Sequence, residues 1–235
     1  MTTALTIAAL SCLGWSLRVR WMTWSLRWEL ASTIAVALLG LSIVLTFCLG
    51  LLQVAGHICL IAGAGAIATT AVSRIEGDTW HIVRRWVANP MLAGILAMVA
   101  ALFLGGGFTA ELYGRQWSIP IYIEIYSVAM TATTAYLLGF AILALLVLVR
   151  DERQRRMAVL FLVPCAAGFI AQLGQMVALA CMMTDVNLWG GERAYWAILM
   201  GTAMWLIGFA IAAAYSWQQK MKGFRKLQRG LKNAA

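Results

Sequence analysis

The side chains in this sequence that could do chemistry are few and far apart. One acid, Glu124, stands alone inside an uncharged stretch. An acid in a membrane span is a candidate for transport or proton coupling. Two amides, Gln172 and Gln175, fall with Gly168 at i, i+4 and i+7 of a second uncharged stretch, so one helix face there is polar and small. Such a face serves either as hydrogen-bonding glue between helices or as the lining of a polar pocket. In the pocket reading Gln172 and Gln175 are amide ligands, Glu124 stands at the outer mouth, and Tyr122 and Tyr126 lie beside it.

Distance argues against a deep Glu124. It lies 26 residues before Arg150, about 39 Å of helix, whereas the hydrocarbon core is only ~30 Å thick. That places it at the outer interface as a solvated acid unless the helix tilts strongly. The preceding run, Ile121 to Tyr126, alternates like a strand, but after Pro120 it could equally open a helix with Tyr122 and Tyr126 one turn apart.

The remaining reactive residues exclude more than they suggest. Bis-histidine haem ligation needs two imidazoles facing one porphyrin, and His57 and His81 are expected at opposite ends of a span. A retinal Schiff base needs a lysine within a span, and all four lysines lie in the last sixteen residues. The five cysteines, Cys12, Cys48, Cys59, Cys165 and Cys181, sit in apolar segments without a C-x-x-C pair and read as small buried residues. Cys48 and Cys59 flank an expected turn, which leaves a disulfide on an oxidising face open. No P-loop, nucleophile–base pair or metal-ligand cluster is present. The expectation is a protein with no cofactor, no metal and no catalytic activity.

The elements that must position these residues are clearer. Hydrophobic residues make up 63% of the 235, and charged residues 11%, where a soluble domain carries roughly 25%. Between Glu29 and Arg74 run 44 residues with no charge. One span takes about 20 residues, so this stretch reads as two spans joined near Gly50 to Gln53. The chain as a whole reads as an all-α polytopic bundle with spans over about 2–17, 30–49, 53–73, 91–110, 120–149, 157–183 and 195–217. A basic amphipathic tail follows over 218–235. The short first segment leaves six spans if it does not insert.

Charge sets the expected orientation. Sixteen Lys and Arg fall in the tail and in the connectors 18–29, 74–89 and 150–156, and only Arg115 and Arg193 fall on the other side. This is the positive-inside pattern, and it predicts a cell-membrane protein with its N-terminus outside and its C-terminus in the cytoplasm. Trp21, Trp24 and Trp28, interleaved with Arg18, Arg20 and Arg27, read as an interfacial helix. Trp80, Val83 and Val87 share a face of a short helix capped by Asp78 and ending at Asn89-Pro90. Pro164 is expected to kink the sixth span. Ala62, Gly63, Gly65 and Ala66 give the third a small-residue face.

In the tail, Lys220, Lys222, Arg225, Lys226, Arg229 and Lys232 oppose an apolar stripe of Trp217, Met221, Phe224 and Leu231. Lying on the inner leaflet, the tail would gain roughly 1 kcal/mol per basic residue near anionic lipid. It is alternatively a docking site for an acidic partner. The expected partners are therefore anionic inner-leaflet lipids and a membrane-protein partner or second copy, and not nucleic acid.

The span order and basic connectors, with Arg84-Arg85 shortly before Asn89-Pro90 at the fourth span, resemble those of a group of uncharacterised seven-helix proteins of actinobacteria and actinophages that are often labelled transporters. The resemblance is one of layout. It implies the seven-helix fold and carries over no functional residue. Two functions follow as expectations. One is a non-catalytic sensor, accessory subunit or interaction module working through helix faces and the tail. The other is a small-molecule transporter or permease with a polar pocket between spans five and six.

Overall fold

The computed structural model describes residues 2–20, 27–46, 51–75, 79–105, 120–152, 154–183 and 191–234. Every regular element among them is helical: α1 (Thr2–Val19), α2 (Arg27–Thr46), α3 (Leu51–Val72), α4 (Trp80–Leu104), α5 (Pro120–Val149), α6 (Arg155–Met183) and α7 (Gly191–Ala234). Five of the seven, α3 to α7, are long and apolar enough to cross a membrane. In α1 and α2 the described apolar parts are shorter, Thr6–Val19 and Leu30–Leu45. Of the turn expected over Gly50 to Gln53, Leu51 to Gln53 already belong to α3, while Gly50 and the partner thiol Cys48 lie outside the described residues; Cys59 is a free thiol.

Six helices close a ring. α1 packs on α2, α2 on α3, α3 on α5, α5 on α6, α6 on α7, and α7 returns to α1. α4 stands outside this ring, held mainly by α5 and lightly by α3, with Leu92, Leu96, Phe103 and Leu104 exposed along its outer side. The ring is filled rather than hollow. Leu39, Ile61, Leu137, Leu138 and Trp205 belong to one cluster of wholly buried side chains contributed by α2, α3, α5 and α7. With apolar lipid outside, close packing supplies the cohesion that water would otherwise drive.

Glycine allows the closest approaches. A methyl group at Gly94 would stand 2.7 Å from Thr133 Cβ, a separation that brings α4 almost into backbone contact with α5. The small residues of α3 serve two seams instead of the single face expected. Gly63 receives Leu39 of α2, and Gly65 receives Met91 of α4. Positions two apart on a helix point about 200° apart, so one face could not include both.

Three local expectations change or resolve. The helix that was to end at Asn89-Pro90 runs through it. Pro90 has no N–H to give, and the chain absorbs the ring by widening to a π-turn over Arg84–Ala88, closed by Asn89 N–H donating to Arg84 O. The expected cap Asp78 lies outside the described residues. The alternating run after Pro120 is helix from its first residue, as the preset φ of a leading proline favours. α6 continues through Pro164, and Gly208 makes room for the ring, since a Cβ there would lie 3.0 Å from Pro164 Cβ.

Five span hydroxyls are satisfied within their own helix. Thr69, Thr70, Thr131, Thr134 and Thr202 each donate to the carbonyl four residues back.

Candidate functional site

Polar groups inside the bundle gather at three places, two of them not expected from sequence. At the first, Arg20 is fully buried. It sits in the turn closing α1, where its N–H bonds to the carbonyls of Ser16 and Leu17. Its guanidinium donates to Ala213 O of α7 at 2.9 Å, to Thr33 Oγ1 of α2 at 3.3 Å, and to Ser32 Oγ. Arg20 is therefore not part of an interfacial arginine–tryptophan belt. Its planar fork ties α1, α2 and α7 together, a task for which a guanidinium suits better than an ammonium. Trp21 and Trp24 lie outside the described residues, and Trp28 falls in the first turn of α2.

At the second, near the other end, His57 Nδ1 of α3 and Tyr126 Oη of α5 share a hydrogen bond of 2.7 Å. Both side chains are buried, and their rings are tilted by 56° with centroids 5.7 Å apart. Tyr126 thus turns to α3, away from the α5–α6 pocket in which it was expected. Tyr122, one turn earlier, packs at the edge of the core. Glu124 is half-buried in the first turns of α5.

The third place is the α6–α7 seam. Gln172 is buried and Gln175 half-buried. Gly168 is a landing place: a Cβ there would stand 2.6 Å from Trp205 Cγ, so the indole of Trp205 rests on the glycine. Gly201 repeats the device against Ala171 Cβ at 2.8 Å. Of the five pocket candidates, Tyr126 bonds to His57 of α3, Glu124 and Tyr122 stand in the first turns of α5, and Gln172 and Gln175 lie on α6.

Between α3, α5, α6 and α7, at the end holding Arg74 and Arg150, a cleft opens with room for about one water molecule. Thr70, Arg74, Gln154, Leu148, Phe161 and Phe209 are among its walls. Gln154 donates from Nε2 to Arg74 O at 3.3 Å, and the Arg74 guanidinium lies 5.6 Å over the Phe161 ring. Phe161 and Phe209 meet with centroids 5.5 Å apart and close the inner side. No group of three or more metal-ligating side chains occurs among the described residues.

No family model, curated protein or solved structure matches the chain. The functional reading therefore rests on the geometry alone.

The tail is a direct continuation of the last span, since α7 runs without a break from Gly191 to Ala234. Its 44 residues reach about 66 Å, roughly twice the hydrocarbon core. The backbone carrying Lys220, Lys222, Arg225, Lys226, Arg229 and Lys232 is therefore helical and continuous with the preceding apolar helix.

Proposed function

We propose that this chain is a non-catalytic interaction module of the cell membrane: a sensor or accessory subunit with seven spans, its N-terminus outside and its C-terminus in the cytoplasm. One observation carries the reading. Two of the polar clusters buried in the bundle are turned inward on their own neighbours, with Arg20 on Ser32, Thr33 and Ala213, and His57 on Tyr126. They hold helices together. What the bundle offers outward is the exposed side of α4 and a helix that leaves the last span carrying six basic residues. An unbroken helix has to bend to lie on a leaflet, so the continuity of α7 favours a tail that meets a partner in the cytoplasm with acidic groups. Crossing by α1 and α2 is supported by their places in the ring, and the orientation by the sixteen-to-two split of basic residues.

The test is a pull-down of the full-length protein from native membranes in mild detergent, beside the same protein lacking residues 218–235. A stoichiometric partner is expected with the first and absent with the second. Recovery of the protein alone, or of the same associates with both, contradicts the module. A second reading, a permease using Gln172 and Gln175, draws on the buried and unpartnered Oε1 of Gln172. Uptake activity abolished by Gln172→Ala would establish it in place of the first.

A further inference from the structure

Past the end of its neighbours, α7 continues the face that it buries inside the bundle. α6 and α7 run antiparallel, since Gly201 meets Ala171 and Gly208 meets Pro164. Counting on from the second pair brings Arg155, the first residue of α6, level with Trp217. α1 ends nearby, because Arg20 in its closing turn bonds to Ala213 O. These two helices are the main ring neighbours of α7. α7 itself runs on to Ala234, about 26 Å beyond Trp217.

Inside the bundle Ala210, Ala214 and Trp217 are buried. Alternate steps of four and three residues lead from them to Met221, which is half-buried, and then to Phe224, Gln228 and Leu231. That alternation is the a/d seam of a heptad repeat, and a single polar residue within such a seam fixes the register of a paired helix. The flanking positions state which helix fits. Lys220, Arg225 and Lys232 border the seam at e and g positions. After Glu192 the sequence holds no Asp or Glu. A second copy would therefore set cations against cations, which opposes pairing. An anionic leaflet would need the helix to bend at the membrane surface, whereas it is unbroken from Gly191 to Ala234.

We propose that the part of α7 beyond Trp217 pairs with one acidic amphipathic helix of a different cytoplasmic protein, joined along the register of Met221, Phe224, Gln228 and Leu231 and matched by Glu or Asp to Lys220, Arg225 and Lys232. This rests on the interaction-module reading and gives its partner a structure: an apolar heptad seam with acidic flanks.

The probe is a fluorescent peptide of about three heptads, with Leu at each a and d position and Glu at each e and g position, which its own charges keep from self-pairing. It is titrated onto the full-length protein in nanodiscs of neutral lipid and, separately, in nanodiscs containing phosphatidylglycerol. Binding is expected in both, and Phe224→Ala with Leu231→Ala is expected to weaken it by about tenfold. Lys220→Glu, Arg225→Glu and Lys232→Glu together are expected to abolish binding of this peptide. They are also expected to confer binding of its counterpart with Lys at e and g, a gain that an unfolded tail would not show. Three results overturn the pairing: no binding of the Glu peptide, equal binding of a scrambled peptide of the same composition, or binding lost when phosphatidylglycerol is present. The pull-down separates this from the broader reading. A native partner that departs with residues 218–235 but stays on the Phe224→Ala, Leu231→Ala protein leaves the module standing and overturns the helix pairing. A deletion that removes no partner overturns the module itself.

Discussion

Arg20→Ala is expected to lower the stability of the bundle by about 3 kcal/mol, among the largest effects available to one substitution in this chain. The change removes a fully buried guanidinium with donors to three helices. It removes the Arg20 bonds to Ser32, Thr33 and Ala213 O, and it opens a space the size of the side chain. Part of the loss is recoverable. The two hydroxyls can turn back onto their own helix, which keeps the estimate near 3 kcal/mol and not above 5. Arg20→Met refills the volume without the hydrogen bonds and is expected to fall between wild type and Arg20→Ala. Arg20→Lys keeps the charge but cannot fork, so it too should be intermediate. Unfolding in mild detergent, followed by heat or by steric trapping, gives the ranking. An Arg20→Ala protein within about 0.5 kcal/mol of wild type would mean that the three-helix tie has no energetic weight.

Gly168→Ala is the second large effect and reports on the other side of the ring. The new methyl would stand 2.6 Å from Trp205 Cγ, 2.8 Å from Cδ2 and 3.0 Å from Cβ. These atoms form the root of the indole, so a small adjustment at the ring tip brings no relief. Either α6 and α7 separate or Trp205 leaves its rotamer. Overpacking of this kind costs about 1–3 kcal/mol, and about 2 kcal/mol is expected. The cause can be isolated. In a Trp205→Ala background the Gly168→Ala penalty is expected to fall by more than half, a non-additivity that directly contacting residues show. Gly14→Ala serves as the opposite control. Nothing lies within 4 Å of its added methyl, so alanine's helix propensity should stabilise it by about 0.5–1 kcal/mol. Additive penalties at Gly168 and Trp205 would contradict the described seam.

The features readable from sequence and those that were not divide along a physical line. Long uncharged runs report burial in lipid directly, and the helices α3 to α7 follow them closely. Pairings between distant residues leave no such trace. Arg20 and Ala213 are 193 residues apart, and His57 and Tyr126 are 69 apart. One arginine in a basic connector looks like every other until its neighbours are known. His57 carries a weak signal, as a polar ring inside an apolar run, but nothing in that run names Tyr126 as its partner. The Asn89-Pro90 boundary misled because a proline near the start of an apolar run normally ends the preceding helix. Here the π-turn carries the helix past it. The face of Gly168, Gln172 and Gln175 was visible in sequence as small and polar. Its neighbour Trp205, which gives that face its meaning, was not.

The proposed tail contacts depend on seven crossings with the basic end inside the cell. Single cysteines test this directly in a chain whose five native cysteines are replaced by alanine. Thr3→Cys, Ser73→Cys and Asn233→Cys report the start of α1, the end of α3 and the end of α7. A membrane-impermeant maleimide applied to intact cells is expected to label position 3, and to reach 73 and 233 only after the membrane is opened. Labelling of 73 or 233 in intact cells, or protection of position 3, would contradict the seven-span orientation.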